Sequence, residues 1–352
     1  MANVIDRTPV MATPSFLSDK VQAVFDRALL LRAVDNQIFD RYGIAKTIPT
    51  NSNAKKGFAM RYKNVLPATT PIAEYDGTNI KRPNKIVREE VEFEVNHYGD
   101  YITLTDELKM YDFRQIQSDF LDVMGDQASL TVDTVTRDIL RAGTNVVYAD
   151  GGASRLAVVD GAKILTENDF KIMAVKLKNQ RGKKFKGVIT GSTKIGTQPV
   201  RSAFTGIVHP SQTEDLRNLT GWKNVETYAD YSKSEEDEVG MIGDFRIVES
   251  TNNDPVVQTG TDTNDYNVYL GLFMAQEAYA TVSLRGKKTI ETIVKPVGSA
   301  GSDDPLNQYG TIGWKAYHGA VILNQKWLIR TEAIASIEDA DVKHHYDHTP
   351  IA

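Results

Sequence analysis

The chain has no cysteine. Disulfides, cysteine-ligated zinc and thiol catalysis are therefore excluded, and the absence fits a cytoplasmic product without establishing one. Long apolar runs are missing too: nothing approaches the ~18 consecutive apolar residues of a membrane helix. No signal peptide is visible, because Pro9 and Pro14 interrupt the uncharged N-terminal run. Neither sign of charge dominates. Lys and Arg number 41, Asp and Glu 46, and the net charge of −5 gives no global attraction to DNA or anionic membranes.

The familiar catalytic signatures are absent as well. There is no H-E-x-x-H and no G-x-G-x-x-G. Gly182-Lys183-Lys184 and Gly286-Lys287-Lys288 lack the Ser or Thr that a phosphate-binding Walker loop needs next. Gly191–Gly196 lacks the spacing of a nucleophile elbow. Asp262, Asn264, Asp265 and Asn267 lack the glycine and terminal glutamate of a calcium loop. His344, His345, Asp347 and His348 are metal-capable types, but they sit in a polar C-terminal run and read as a tail. No catalytic residue, metal site or cofactor is expected. A hydrolase would need a site assembled only in three dimensions, around His209 and Asp215.

What is present is a chain of 352 residues with 41% hydrophobic and 25% charged residues, ordinary globular values with enough length for two lobes. Its organising stretch is Asp112–Gly143. Phe113, Ile116, Phe120, Met124, Ala128, Val132, Val135 and Ile139 recur at helical steps. Asp112 is the expected N-cap and Gly143 the expected left-handed stop. Such a helix is a rod of roughly 45 Å. It is either a spine laid across a sheet or a bundle helix. Phe120, Met124 and Val132 are its core candidates.

Residues 1–18 read as an irregular arm. Asp19–Asp40 has helical spacing, with Val21, Val24, Phe25, Ala28, Leu31 and Val34 on one side, and must pack on the body or on a neighbour. Between residues 44 and 105 that spacing gives way to strand-like pieces at Gly57–Leu66, Ile86–Val95 and Asp100–Thr105. Val87, Val91, Phe93 and Val95, interrupted by Glu89, alternate with Arg88, Glu90, Glu92 and Glu94, as in a two-stranded ribbon. Its candidates for contact with another subunit are Arg61, Lys63, Lys81, Arg82, Lys85, Arg88, Glu90 and Glu92. An ordinary solvated hairpin is the alternative.

A mixed α/β lobe is expected next. Glu167–Gln180 is a helix with Phe170, Met173, Ala174 and Leu177 inward and Gly182 as its stop. Phe185–Thr190 is a short strand, Thr193–Gly206 irregular, and Glu214–Leu219 a short helix. Ser232–Glu238 is a polar loop. Val239–Glu249, Asn267–Phe273 and Thr289–Val297 are strands. Gly298–Ser302 is a joint. Trp314–Leu323 and Lys326–Ile334 form a hairpin around Asn324-Gln325, with Trp314 as a further core candidate.

Within residues 294–333 the residues Gly298, Gly301, Asp304-Pro305-Leu306, Gly310, Gly313-Trp314-Lys315, Ile322-Leu323 and Ile329-Arg330 resemble the C-terminal signature of a major capsid protein family of tailed double-stranded DNA bacteriophages. It is the podovirus family typified by the coliphage that packages its own virion RNA polymerase. Val208-His209-Pro210, Gly240–Val248 and Tyr101–Thr105 add weaker likeness. The resemblance implies an α+β chain with the Hong Kong phage-type capsid fold. Residues 1–48 would be an N-terminal arm and 49–100 an extended loop over a neighbouring subunit. Residues 101–165 and 304–338 would be a peripheral domain carrying the spine helix, 166–303 an axial domain, and 339–352 a tail. It implies self-assembly as hexamers and pentamers into an icosahedral virion head built in the host cytoplasm. Portal and decoration proteins and non-specifically packaged DNA are the implied partners. No scaffolding segment fits ahead of Asp19, so a separate scaffolding protein is expected. An encapsulin-type nanocompartment shell is the alternative within the same fold.

Overall fold

The long amphipathic stretch folds as one α-helix, α1 (Ile116–Arg141), 26 residues or about 39 Å long. The computed structural model describes residues 37–48, 56–62, 88–107, 116–185, 202–227, 237–284, 290–299 and 304–337. The expected N-cap Asp112 lies outside them. The other helices are α2 (Arg155–Asp160), α3 (Glu167–Asn179) and α4 (Pro210–Arg217). The strands run β1 (Ile44–Ile48), β2 (Lys56–Tyr62), β3 (Arg88–Glu94), β4 (Asn96–Thr105) and β5 (Val146–Tyr148). They continue as β6 (Phe204–Val208), β7 (Trp222–Asn224), β8 (Glu238–Ile242), β9 (Phe245–Glu249) and β10 (Val256–Thr259). The last are β11 (Asp265–Met274), β12 (Tyr279–Leu284), β13 (Ile290–Lys295), β14 (Tyr309–Ile322) and β15 (Leu328–Ala333).

Two sheets carry the molecule. A five-stranded sheet is ordered β1-β12-β14-β13, with β4 also paired to β14. An eight-stranded mixed sheet is ordered β5-β15-β11-β6-β9-β8-β7, with β10 on β11. The helix α1 joins them. Its first half lays Leu121, Met124, Ala128 and Val132 on Leu104 of β4, Ile290 and Val294 of β13, and Ile312, Trp314 and Ala316 of β14. Each Leu, Ile, Val or Met among them contributes about 1.5–3 kcal/mol when fully buried. Its far end drops Leu140 into a second core with Phe39, Leu272, Met274 and Leu328. The spine-on-sheet alternative is thus the one adopted. The helix α3 covers the other face of the large sheet with Phe170, Met173, Ala174 and Leu177. Every residue of β6 is buried, as befits a strand covered on both faces.

Several expectations are corrected. The described residues 37–40 are coil and turn, not the end of a helix; the rest of Asp19–Asp40 lies outside the described residues. Beyond Val132 the buried face of α1 is Asp133, Thr136, Arg137 and Leu140, while Val135 and Ile139 are only half-buried. Gly143 is not left-handed. A Cβ there would lie 3.1 Å from the Leu140 carbonyl oxygen and 3.3 Å from the Leu328 side chain, so close packing accounts for the glycine. At the end of α3 the left-handed residue is Arg181 (φ 55°), not Gly182. The Gly182 N–H then bonds the Leu177 carbonyl at 2.9 Å and the Arg181 N–H that of Lys178, closing a Schellman motif.

Val239–Glu249 is a hairpin, β8 and β9, turned at Gly243 (φ 56°). The irregular reading of Thr193–Gly206 runs into β6, and α4 starts at Pro210, earlier than Glu214. Glu238 opens a strand and is buried; it is not loop. The C-terminal strands are present, but β14 pairs with β4, β12 and β13 while β15 pairs with β11 and β5. They are not a hairpin: the turn at Asn324 carries the chain from one sheet to the other.

Candidate functional site

The ribbon is a two-stranded antiparallel pair, β2 on β3, with Gly57 opposite Phe93 and Arg61 opposite Glu89. Phe93 and Val95 are buried against Ile48, Ala280, Val282 and Val321, which roots the ribbon in the five-stranded sheet. At the root the chain crosses β14 so closely that any side chain at Gly319 would collide with the Glu94 carbonyl. On the outer face Arg88, Glu90, Glu92 and Glu94 are exposed, and so is Phe58. Arg88 pairs with Glu90 at 2.5 Å and Glu92 with Lys56 at 2.8 Å. Exposed pairs of this kind contribute little stability, a median of about 0–1 kcal/mol. Arg61 is on β2, and Lys63, Lys81, Arg82 and Lys85 lie outside the described residues. Of the core candidates, Met124, Val132 and Trp314 are buried and Phe120 is half-buried beside them.

A second feature escaped sequence reasoning. Asp133, Arg137 and Arg141 lie four apart along α1 and turn inward. Asp133 accepts the Phe39 N–H at 2.7 Å and the Asn252 amide at 2.9 Å. Arg137 donates to the Asn252 carbonyl at 2.6 Å, to its side-chain oxygen at 2.9 Å and to Asp254 at 2.7 Å. Arg141 donates to the Asn253 side chain at 3.0 Å and to the Asp254 carbonyl. Burial pushes the Asp133 carboxyl up and the Arg141 guanidinium down to about 10. The neighbouring Asp40 is raised to about 6, by burial first and the Asp133 charge second. His318 is pushed down to about 4 by burial and meets the Thr136 hydroxyl at 2.8 Å. This network ties residues 37–43, the spine, the 250–254 turn and β14 into one body. The signal in the sequence was the i,i+4 ladder of opposite charges, a pattern that solvated helix faces also carry.

The residues of the hydrolase alternative hold structure together. His209 N-caps α4, its Nδ1 accepting the Ser211 N–H at 3.2 Å. Asp215 accepts the Ser336 N–H at 2.9 Å and the Ser336 hydroxyl. Among the described residues no three His, Asp or Glu side chains gather as metal ligands would. Burial pushes His209 down to about 4, from about 6.5 in an unfolded chain. The folded state therefore resists protonation. Stability from this group is complete above pH 6.5 and is lost as pH falls toward 4, by about 2–3 kcal/mol in all. His209→Asn replaces the capping ring nitrogen with a capping oxygen that does not titrate and is expected to flatten that loss. Denaturant midpoints at pH 7 and pH 4.5 check it; an unchanged pH difference would refute the assignment.

Comparison with known proteins puts these parts in context. A major capsid protein of Pseudomonas phage KPP21 is 25% identical over 230 residues, 59% of this chain and 58% of that protein, so the match spans under two thirds of the relative. The capsid of Ralstonia phage GP4 superposes with a TM-score of 0.65 at 11% identity, over 87% of this chain and 93% of that one. The capsid of cyanophage P-SCSP1u does so at 0.56 with 17% identity, over 85% and 89%. These structural likenesses establish a phage capsid fold. The phage capsid protein family model matches residues 88–331, from the ribbon's second strand through the spine helix to β15, and the chain belongs to that family.

Proposed function

We propose that the protein is the major capsid protein of a tailed double-stranded DNA phage, with the Hong Kong phage-type fold and the podovirus affinity of its C-terminal signature. It assembles with copies of itself, as hexamers and pentamers, into the icosahedral head. The observation that carries this reading is the family match across residues 88–331, which takes in the spine helix and strands of both sheets. A shell subunit performs no turnover; it needs complementary edges and elements that reach a neighbour. Residues 1–48 serve as the arm, 49–100 as the extended loop, 101–165 and 304–338 as the peripheral domain, 166–303 as the axial domain and 339–352 as the tail. The pairing of β12 and β13 with β14 supports adding those two strands to the peripheral sheet, and the pairing of β15 with β11 and β5 supports giving β5 and β15 to the axial one. A separate scaffolding protein, a portal, decoration proteins and packaged DNA are the partners in this reading. A net charge of −5 suits a wall that must not bind the DNA it encloses.

Electron microscopy and light scattering of the purified chain test the reading. Closed shells, or hexamers and pentamers, are expected. A chain that stays monomeric even with its scaffolding and portal proteins would overturn it, and shells filled with an enzyme would replace it with a nanocompartment. Deleting residues 67–84 is expected to leave the monomer folded and abolish stable shells. Intact shells of normal heat resistance from that deletion would remove the loop's role.

A further inference from the structure

The described chain begins at Gln37, beside a cleft of about 450 Å³ that Ile38 helps to line. Four carboxylates line the same cleft: Asp126 and Asp133 from α1, Asp237, and Glu249 at the end of β9. Among the described residues no lysine or arginine lines it. Leu130 and Pro210 supply apolar wall. Ser250 also lines it, only 2% exposed, and its hydroxyl finds no hydrogen-bond partner. A buried hydroxyl left unmatched costs about 1–3 kcal/mol, so this wall calls for a further polar group. A bare metal ion does not fit, since no three carboxylate or histidine groups among the described residues are placed to hold one. A cationic side chain on an amphipathic segment does.

The chain itself leads there. Phe39 is fully buried, its N–H held by Asp133 and its carbonyl by the Tyr279 hydroxyl. Two residues on, Arg41 already reaches Asp237 at 4.0 Å. Upstream the sequence reads Arg27-Ala28-Leu29-Leu30-Leu31-Arg32-Ala33-Val34. Arg32 is five residues from Gln37, a span of at most about 18 Å extended and about 8 Å in a helix. A guanidinium presents five donors in a fork that matches carboxylates, and the adjoining leucines match Leu130 and Pro210. We propose that this cleft is the docking site of the chain's own residues 27–36, with Arg32 set among Asp126, Asp237 and Glu249. The segment is thereby fastened to the spine helix of its own subunit. The inference stands apart from shell assembly.

The absence of cysteine makes the test free of background. Thr251→Cys, in the cleft wall, is combined in the full-length chain with Leu31→Cys, Arg32→Cys or Asp35→Cys in turn. Val175→Cys, on the exposed side of α3, replaces Thr251→Cys in the controls. Under mild oxidation in dilute solution, at least one cleft pair is expected to close an intrachain disulfide about tenfold faster than its control, because docking raises the local concentration. Arg32→Glu, with the cysteines at 31 and 251, is expected to remove that advantage, and adding Glu249→Lys to restore it. Equal rates for cleft and control pairs would overturn the proposal. Disulfides formed only between chains would also overturn it, giving the cleft to a neighbouring copy. Failure to form shells would count against the capsid reading and leave this result untouched.

Discussion

Trp314→Ala is expected to lower the free energy of unfolding by about 3–5 kcal/mol, the range for removing a large aromatic side chain from a packed core. Trp314 sits mid-strand in β14 and is 4% exposed. β13 flanks it at Thr292 and β4 at Asp100. Its indole packs in the cluster that α1 makes with Leu121, Met124, Ala128 and Val132. The indole N–H donates to Gln127 on the same helix at 3.1 Å, and Gln127 in turn donates to Asp100 at 2.7 Å. The substitution thus opens a cavity where spine and sheet meet and cuts a polar link across them. Backbone pairing on both sides of β14 limits how far the site can collapse, which puts the loss in the upper part of the range. Trp314→Phe keeps most of the apolar volume and is expected to cost about 1–2 kcal/mol. Urea denaturation decides: an unaltered midpoint for the alanine variant would show that this contact does not hold the spine to its sheet.

The spine was legible because burial on one helical face leaves a 3.6-residue rhythm that needs no knowledge of the partner. The ribbon was legible for the same reason with a period of two: Phe93 and Val95 inward, Arg88, Glu90, Glu92 and Glu94 outward. What failed was non-local. Asn324-Gln325 carries a turn signal, yet nothing near it says that β14 and β15 leave for different sheets. The strand β6 was missed because Gly206 interrupts its apolar run; the glycine is there because the Phe273 ring occupies the place of a Cβ, 2.5 Å away. The network on α1 was missed because Asp133, Arg137 and Arg141 at four-residue steps look solvated. Asn252 and Asp254, which bury Arg137, lie more than a hundred positions downstream. A pattern in one segment can report that a face is apolar, but not that a charged face has found its complement elsewhere.

The same blindness hid the pair on which the second large effect rests. Glu238 was read as the end of a polar loop, but its side chain is 0% exposed and that of Arg246 5%. The two face each other across the β8–β9 hairpin, Arg246 Nε donating to Glu238 Oε1 at 2.9 Å and a second nitrogen donating to the other carboxylate oxygen. Two parallel bonds are the strongest arrangement an ion pair can take, yet both charges have left water to make them. Removing one partner is therefore worse than removing both. Arg246→Met is expected to cost about 3–5 kcal/mol at neutral pH, because a buried carboxylate loses its two-point guanidinium partner. The double variant Arg246→Met, Glu238→Leu fills the space with apolar groups and is expected to recover wild-type stability or exceed it by about 1–4 kcal/mol. A double-mutant cycle at pH 7 measures both claims. If the two single substitutions simply add in the double variant, the pair is not coupled and the hairpin owes its stability to the apolar contacts of Ile242, Phe245 and Ile247 in the α3 core.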